Sequence, residues 1–160
     1  MFDLEAIVEK LKAEAEELEY ELKVELPREI GAAIEQGDIS ENAEYESAKE
    51  RQSTLIGRLD QLNRRIEDLS KINMSEIPRD RVSLGSTVEV TDIDTGEKKR
   101  YVLVPPEAMD SNPHYISIMS PIARNLVGAF PGDEVFVEVP KGEREYRVER
   151  VITYFGDVLE

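Results

Sequence analysis

Apolar residues in the first part of the chain recur at alternating spacings of four and three, the spacing of a coiled-coil seam. The first run consists of Leu4, Val8, Leu11, Ala15, Leu18 and Leu22, and it resumes at Leu26, Ile30 and Ala33. A second run consists of Ala48, Gln52, Leu55, Leu59, Leu62, Ile66 and Leu69. Two seams separated by a short polar stretch predict an antiparallel helical hairpin over residues 1–74. Each arm would be about 45 Å long at a rise of about 1.5 Å per residue.

Pro27 interrupts the first arm of this hairpin. A proline inside a helix removes one backbone hydrogen bond and bends the helix. The seam continues beyond it with a changed spacing, which is consistent with a four-residue stutter. We therefore expect a local kink near Lys23–Leu26.

The pattern changes after residue 74 to short alternating runs rich in Val, Tyr and Ile, which predict strands. The predicted strands are Ser86–Asp92, Lys98–Val104, Tyr115–Ser120, Glu134–Val139 and Tyr146–Phe155. Turn signals separate neighbouring strands at Asp94-Thr95-Gly96 and Pro140-Lys141-Gly142. Ser120 can cap one short helix, Pro121–Val127, which Gly128 closes. The chain thus divides into a hairpin, a linker over 75–81 and a small α+β domain over 82–160 with an antiparallel sheet.

The charge of the chain narrows its choice of partners. The 160 residues carry a net charge of -15, which opposes free binding to nucleic acid, because phosphates require Lys and Arg. The same charge favours a basic protein partner or a positively charged groove. The chain has no cysteine, its first residues do not resemble a signal peptide, and no stretch is apolar enough to span a membrane. We expect a cytoplasmic protein, and a monomer, because each seam can be covered within one hairpin.

The tip of the hairpin, Gly37–Tyr45, concentrates three carboxylates at the point farthest from any core. Asp38 and Glu41 have the spacing of a capping box, in which Asp38 caps the second helix and Gly37 ends the first with a positive φ. The alternative is that both carboxylates are metal ligands. Magnesium accepts one or two protein carboxylates and keeps other oxygen ligands, so such a tip would complete a site whose remaining ligands belong to a partner.

The string Gly37-Asp38-Ile39-Ser40-Glu41-Asn42-Ala43-Glu44-Tyr45, followed by Ala48-Lys49, resembles the hairpin tip of the bacterial Gre transcript cleavage factors, GreA and GreB. A second block, Ser120-Pro121-Ile122-Ala123-Arg124-Asn125-Leu126-Val127-Gly128, resembles a block in the C-terminal domain of the same family. The two blocks stand in the family's order and with similar spacing. The resemblance implies an FKBP-like second domain and a GreA-like transcription elongation factor.

The resemblance also implies a mechanism. Such a factor binds bacterial RNA polymerase, inserts its hairpin into the secondary channel and stimulates the cleavage of backtracked RNA by the polymerase itself. Asp38 and Glu41 would add ligands to a Mg²⁺ ion shared with the polymerase active site, near the nascent RNA 3′ end. The chain would have no nuclease activity alone. Asn42 and Glu44 would support the tip, and Tyr45 would pack the turn or approach RNA.

Other positions follow from the same resemblance. Lys49 and Arg51 would lie near RNA, although a solvated helix face explains both equally well. Ser120, Pro121, Ile122 and Arg124 would dock on the rim of the channel, while packing of the short helix on the sheet is an equal explanation for Ile122. Met119 stands where the family commonly has Asn or Asp, and Ile34 stands where it commonly has a basic residue.

Several remaining residues point to no chemistry of their own. His114 follows Asn112-Pro113 in a predicted loop, and a single histidine without a placed partner makes no catalytic pair. Phe130, Phe136 and Phe155 are explained mostly as core, which leaves no aromatic pocket for a prolyl isomerase. The stretch 105–113 departs from the family pattern without indicating a function.

Two alternatives to the cleavage factor remain open at the level of the residues. One is a Gre homologue that enters the same channel and inhibits the polymerase. The other is a coiled-coil adaptor whose acidic tip is only a capping box. The change Asp38→Asn separates the last from the others, because asparagine keeps most capping ability but loses the charge of a metal ligand.

Overall fold

The computed structural model describes residues 1–37 and 42–160 and divides the chain into two compact units. One unit is Asp3–Ile72, and the other comprises Met1–Phe2 with Asn73–Glu160. The residues expected to form a linker, 75–81, therefore belong to the C-terminal unit. Met74–Glu76 form a short 3-10 helix there, and Arg79 binds Asp157 through two hydrogen bonds of 2.8 and 3.0 Å.

The N-terminal unit is a pair of helical arms. The first arm contains α1 (Leu4–Tyr20), a π-helical turn (Glu21–Glu25) and α2 (Leu26–Glu35), and the second arm is α3 (Ala43–Ser70). Salt bridges from Glu21 to Arg51 and from Glu14 to Arg58 join the arms. Glu14 precedes Glu21 by seven residues, whereas its partner Arg58 follows Arg51 by seven. The arms are therefore antiparallel, as the sequence predicts.

The predicted seam lies between the arms. Four α3 residues spaced by seven, Ala48, Leu55, Leu62 and Leu69, are all buried. The alternate α3 positions Gln52, Leu59 and Ile66 are half-buried. On the first arm Leu26 is 1% exposed and packs with Ala48 and Leu55, against which Leu18, Leu22 and Ile30 also pack. The periodicity in the sequence thus identified the buried face of both arms.

The irregularity expected near Lys23–Leu26 is present as the π turn, in which the Leu26 amide donates to the Glu21 carbonyl five residues earlier. A π turn holds one more residue than an α turn. That extra residue accounts for the changed seam spacing between Leu22 and Leu26, so the four-residue stutter is not the explanation. The turn also places Pro27 in the first turn of α2, where a missing amide hydrogen costs little.

The C-terminal unit is α+β, as expected. Among the described residues six strands form one sheet: β1 (Thr87–Asp92), β2 (Lys98–Val104), β3 (Tyr115–Ser117), β4 (Glu134–Val139), β5 (Gly142–Ile152) and β6 (Val158–Leu159). The strand order is β3-β2-β1-β5-β4, and β6 pairs with β5. All pairs are antiparallel except β2 with β3, which is parallel because a 3-10 helix (Pro106–Ser111) carries the chain back between them.

The core of this unit lies under one face of the sheet. Strand residues that point to that face alternate with polar ones, and α4 (Pro121–Leu126) covers them with Ala123 and Leu126. The fully buried members are Val88, Leu103, Ala123, Leu126, Val148 and Val151. Gly128 follows α4 with φ +88°, so the predicted end of the helix is confirmed.

Two of the phenylalanines assigned to the core are not there. Phe136 is 61% exposed and Phe130 is 42% exposed, whereas Phe155 is half-buried. In β4 the buried residue is Val137, so Phe136 shares the opposite face with Glu134 and Glu138. The alternation of acidic residues around Phe136 was the signal in the sequence that this position faces outward.

Candidate functional site

The first arm ends at the tip with a glycine that has a positive φ. Helix α2 ends at Glu35, Gln36 donates its amide to the Ala33 carbonyl at 3.3 Å, and Gly37 follows with φ +142°. This is the conformation that residues with a side chain rarely adopt. The prediction that Gly37 ends the first helix is confirmed.

Asn42 connects the two arms on the other side of the tip. Its Oδ1 accepts hydrogen bonds from the amides of Glu44 (2.9 Å) and Tyr45 (3.2 Å), so it is the N-cap of α3. Its Nδ2 donates to the Ala33 carbonyl in the last turn of α2 at 2.7 Å. One side chain therefore caps the second arm and satisfies a carbonyl at the end of the first.

Asp38 and Glu41 lie outside the described residues, as do Ile39 and Ser40. The start of α3 nevertheless answers one question about the tip. Because α3 begins at Ala43 with Asn42 as its cap, the alternative in which Asp38 caps the second helix is wrong. Two residues of the motif that resembles the family tip, Gly37 and Asn42, thus close the two helices.

Glu44 and Tyr45 occupy the first turn of α3. Glu44 is exposed and lines a shallow cavity of about 480 Å³ together with Glu29 and Arg51. Tyr45 is half-buried. A carboxylate in the first turn of a helix also interacts favourably with the positive end of the helix dipole, which suits Glu44 to a role in stabilising the tip.

The two basic residues predicted to lie near RNA have different surroundings. Arg51 donates from Nε to the Glu21 carboxylate at 2.5 Å, and this hydrogen bond is the main reason that the pKa of Arg51 is raised. Lys49 donates to the amide oxygen of Gln52 at 3.0 Å and makes no salt bridge with the described carboxylates. Lys49 is therefore held only by a neutral partner among the described residues, whereas Arg51 joins the two arms.

The region predicted to dock on a partner lies around α4. Ser120 is the N-cap and accepts from the Ala123 amide at 3.3 Å, and Pro121 is exposed at the first position of the helix. Ile122 is half-buried and packs against the core, so its packing role is shown. Arg124 is exposed in the last turn.

Additional apolar surface borders α4 that sequence reasoning did not identify. Met119 precedes the helix and is 53% exposed, and Val127 follows it and is 45% exposed. Met119 was noted only as a departure from the family pattern. Met119 and Val127 thus place exposed apolar side chains before and after α4, which also carries the exposed Arg124.

Neither unit shows a metal site within residues 1–37 and 42–160, where no group of three potential ligands comes together. His114 is exposed in its loop, as predicted. Over the same two ranges, no helix combines the length and the apolar composition that a membrane span requires.

Comparison with known proteins covers nearly the whole chain. The model of the N-terminal domain of the transcription elongation factors matches residues 5–70, and the model of the GreA/GreB C-terminal domain matches residues 77–153. Transcription elongation factor GreA of Nitratidesulfovibrio vulgaris (strain DSM 19637 / Miyazaki F) is 42% identical over 130 residues, which are 79% of this chain and 81% of that protein. GreA of Wolinella succinogenes is 39% identical over 152 residues, 94% of this chain and 91% of that protein.

Among solved structures, the GreA factor homolog 1 (Gfh1) of Thermus thermophilus is similar, with 28% identity, a TM-score of 0.39 and coverage of 90% of this chain and 93% of that one. The family assignment rests on the sequence matches. Both halves of the chain match domains of one family in the family's order, and the relatives are covered over most of their length. The chain belongs to the GreA/GreB family of transcription elongation factors.

Proposed function

We propose that this protein binds RNA polymerase, inserts its hairpin into the secondary channel and stimulates cleavage of backtracked RNA by the polymerase. The observation that carries the proposal is the construction of the tip. Gly37 and Asn42 close the two helices, so the acidic pair between them in the sequence, Asp38 and Glu41, is not needed as the cap of α3. Membership of the GreA/GreB family supports the same activity.

In this mechanism Asp38 and Glu41 would supply two carboxylates to a Mg²⁺ ion whose other ligands would belong to the polymerase. Two carboxylates fit the small number of protein ligands that Mg²⁺ accepts. When bound, the ion supplies Lewis-acid stabilisation for hydrolysis of the phosphodiester bond. The protein itself contributes position: the seam holds the arms together, and Asn42 ties the start of α3 to the end of α2 at 2.7 Å.

The role of the basic residues follows from their pairing. Lys49 makes no salt bridge with the described carboxylates and contacts the RNA segment near the tip. Arg51 acts first by joining the arms through Glu21, and it contacts RNA only if that pair opens. The docking surface is formed by Pro121 and Arg124, together with the exposed part of Ile122, and the protein acts as a monomer.

The test is RNA cleavage in a backtracked complex of the cognate polymerase with Mg²⁺. The variants Asp38→Asn and Glu41→Gln each remove one charge and keep the size of the side chain. The matched control is Glu46→Gln, which removes an exposed carboxylate from the first turn of α3, outside the proposed ligand pair. We expect both tip variants to lose most of the stimulation, about tenfold or more, while Glu46→Gln keeps it.

Two results would contradict the proposal. If the native protein binds polymerase and slows cleavage or elongation, it is an inhibitor that uses the same channel. If it does not bind polymerase, the hairpin is an adaptor. Binding is measured separately with Arg124→Ala, which we expect to weaken it, and with Arg81→Ala as a control of equal charge in the same unit.

A further inference from the structure

A basic groove lies on the C-terminal unit, away from the residues assigned above. It crosses β1, β2 and β5 and has a volume of about 570 Å³, within the range of about 300–1,000 Å³ of small-molecule sites. Its cations are Lys98, Arg100 and Arg147, and a fourth, Lys99, whose ammonium group lies 5.9 Å from the centre of the Tyr146 ring. A concentration of positive charge is unexpected in a chain with a net charge of -15, because most cations of such a chain can form ion pairs with its many carboxylates.

Two of these cations have an acidic neighbour but no close ion pair: Glu89 lies opposite Arg100 in the register of β1 and β2, and the charge of Lys98 contributes to the lowered pKa of Glu149. Lys98 and Arg100 are exposed, and neither forms a salt bridge with any carboxylate of the described residues. They alternate on β2, so both project from the same face of the sheet. Across β1, the register Lys98–Thr91–Arg147 brings the third cation into line with Lys98. Lys98, Arg100 and Arg147 are therefore arranged across neighbouring strands and not along a single solvated edge.

The groove also holds hydrogen-bond acceptors. Glu149 is the extra residue of a β-bulge, since Val90 pairs with Val148 and Glu89 pairs with Arg150. Bulges redirect side chains and are frequent beside binding sites. The Nε of Arg147 donates to Glu149 at 2.8 Å, and this bond is the largest cause of the lowered pKa of Glu149. The Nη groups of Arg147 remain as further donors.

A ligand for this groove must carry both negative groups and hydrogen-bond donors. The phosphates of a nucleic acid backbone alone would be repelled by the Glu89 and Glu149 carboxylates, and no hydrogen bond would offset that repulsion. A nucleoside phosphate satisfies both kinds of side chain, because Arg and Lys bind phosphate oxygens and carboxylates accept from ribose hydroxyls. The exposed imidazole of His114 at the β3 end of the groove adds a flat surface for a base.

We propose that this groove binds a nucleoside phosphate. Lys98, Arg100 and Arg147 hold the phosphate groups. The carboxylates of Glu89 and Glu149 accept hydrogen bonds from hydroxyl and amino groups of the nucleoside. The ligand is either a free nucleotide or the terminal nucleotide of an RNA strand, which share this chemistry. The site is independent of the proposed function of the hairpin.

The experiment is a titration of the ¹⁵N-labelled full chain, followed by amide chemical shifts, without polymerase. The probes are GTP, inorganic tripolyphosphate and a 5′-phosphorylated ribotetranucleotide. We expect saturable shifts in β1, β2 and β5 with GTP, with the tetranucleotide or with both. Shifts with GTP identify a free nucleotide, and shifts with the tetranucleotide alone identify a strand end. Because polymerase is absent, failure here leaves the cleavage proposal intact, and the reverse also holds.

The matched variants are the doubles Lys98→Gln/Arg100→Gln and Arg81→Gln/Lys141→Gln. Both remove two exposed charges from the same unit, but only the first pair lies in the groove. We expect the groove double to bind at least about tenfold more weakly and the control double to be unchanged. Glu89→Gln should weaken the binding of the nucleotide and leave the binding of tripolyphosphate unchanged.

The proposal is overturned by any of three results. The first is the absence of saturable shifts with both nucleotide probes. The second is an equal loss in the two double variants, which would indicate long-range attraction only. The third is binding of tripolyphosphate as tight as that of the nucleotides, which would mean that the groove recognises no nucleoside.

Discussion

Replacing Asn42 with alanine tests whether a single side chain holds the hairpin tip together. Alanine removes the Oδ1 acceptor of the Glu44 and Tyr45 amides, at 2.9 and 3.2 Å, and the Nδ2 donor to the Ala33 carbonyl at 2.7 Å. The backbone bond from the Glu46 amide to the Asn42 carbonyl stays. The helix therefore keeps its backbone start and loses its cap and its link to the other arm.

The cost follows from these bonds. Loss of an N-cap asparagine destabilises a helix by about 1 kcal/mol, and loss of one partly buried hydrogen bond costs about 1 kcal/mol more. Together they amount to about 2 kcal/mol, or about 30-fold in the equilibrium for opening the tip. Because the lost bonds are at one end of the hairpin, the effect should be local fraying and not a loss of the whole fold.

Amide hydrogen exchange at Glu44 and Tyr45 measures this opening, and the Leu62 amide in the buried seam of α3 serves as an internal reference. The matched variant is Asn42→Ser, which can still cap the helix but cannot donate to Ala33. We expect exchange about 30-fold faster in Asn42→Ala and about 5-fold faster in Asn42→Ser. The reasoning is refuted if exchange at Glu44 and Tyr45 in Asn42→Ala stays within about twofold of the native rate, or if Leu62 accelerates equally.

Other predictions concern the C-terminal unit. The hydrogen bond from Arg79 lowers the pKa of Asp157 below its ordinary value of 3.8. The stability that this ion pair contributes is therefore present above pH 3.8 and is lost as the pH falls further. Between pH 6 and 2.5 the melting temperature should fall less in Asp157→Asn than in the native protein. Burial, reinforced by a neighbouring tyrosine, raises the pKa of Tyr101 to about 12. Stability should therefore fall as the pH rises from 10 to 12, and ultraviolet absorbance of Tyr101→Phe should lack the last phenolate step. Leu126→Ala should cost about 2–5 kcal/mol in urea unfolding because Leu126 is fully buried, whereas Phe136→Ala should stay within about 0.5 kcal/mol; equal losses would contradict the assignment of Phe136 to the exposed face.

The hairpin was predictable because its seam is periodic. Leu55 and Leu62 recur at the spacing that a buried helix face requires, and nothing else explains that spacing. The strands of the second unit were predictable for a similar reason, although their ends moved: the strand expected over Tyr146–Phe155 begins at Gly142 and ends at Ile152. Strand ends depend on the partners available along the sheet, and the sequence of one strand does not contain that information.

The predictions from the sequence failed where two residues or two roles compete. Asp38 and Asn42 are both good N-caps, and the residue that caps α3 is decided by where the backbone turns, not by propensity. The stretch 75–81 has the composition of a linker, but Arg79 binds Asp157 78 residues away. Phe136 was assigned to the core with the other phenylalanines, against the polar alternation of its strand. Each error came from weighing a residue's type above its position in a pattern.

The π turn at Glu21–Glu25 has a consequence for how the gene can vary. The first arm carries one residue more than a regular heptad path needs between Leu22 and Leu26. Deleting one codon within this turn would leave an uninterrupted α-helix with its seam still in phase, provided that Pro27 is also replaced. A deletion of the same size in α3 would rotate all later seam residues by about 100° and bring polar residues into the interface. Length variation among relatives should therefore concentrate at this turn, the one place in the described hairpin arms where the register can absorb it.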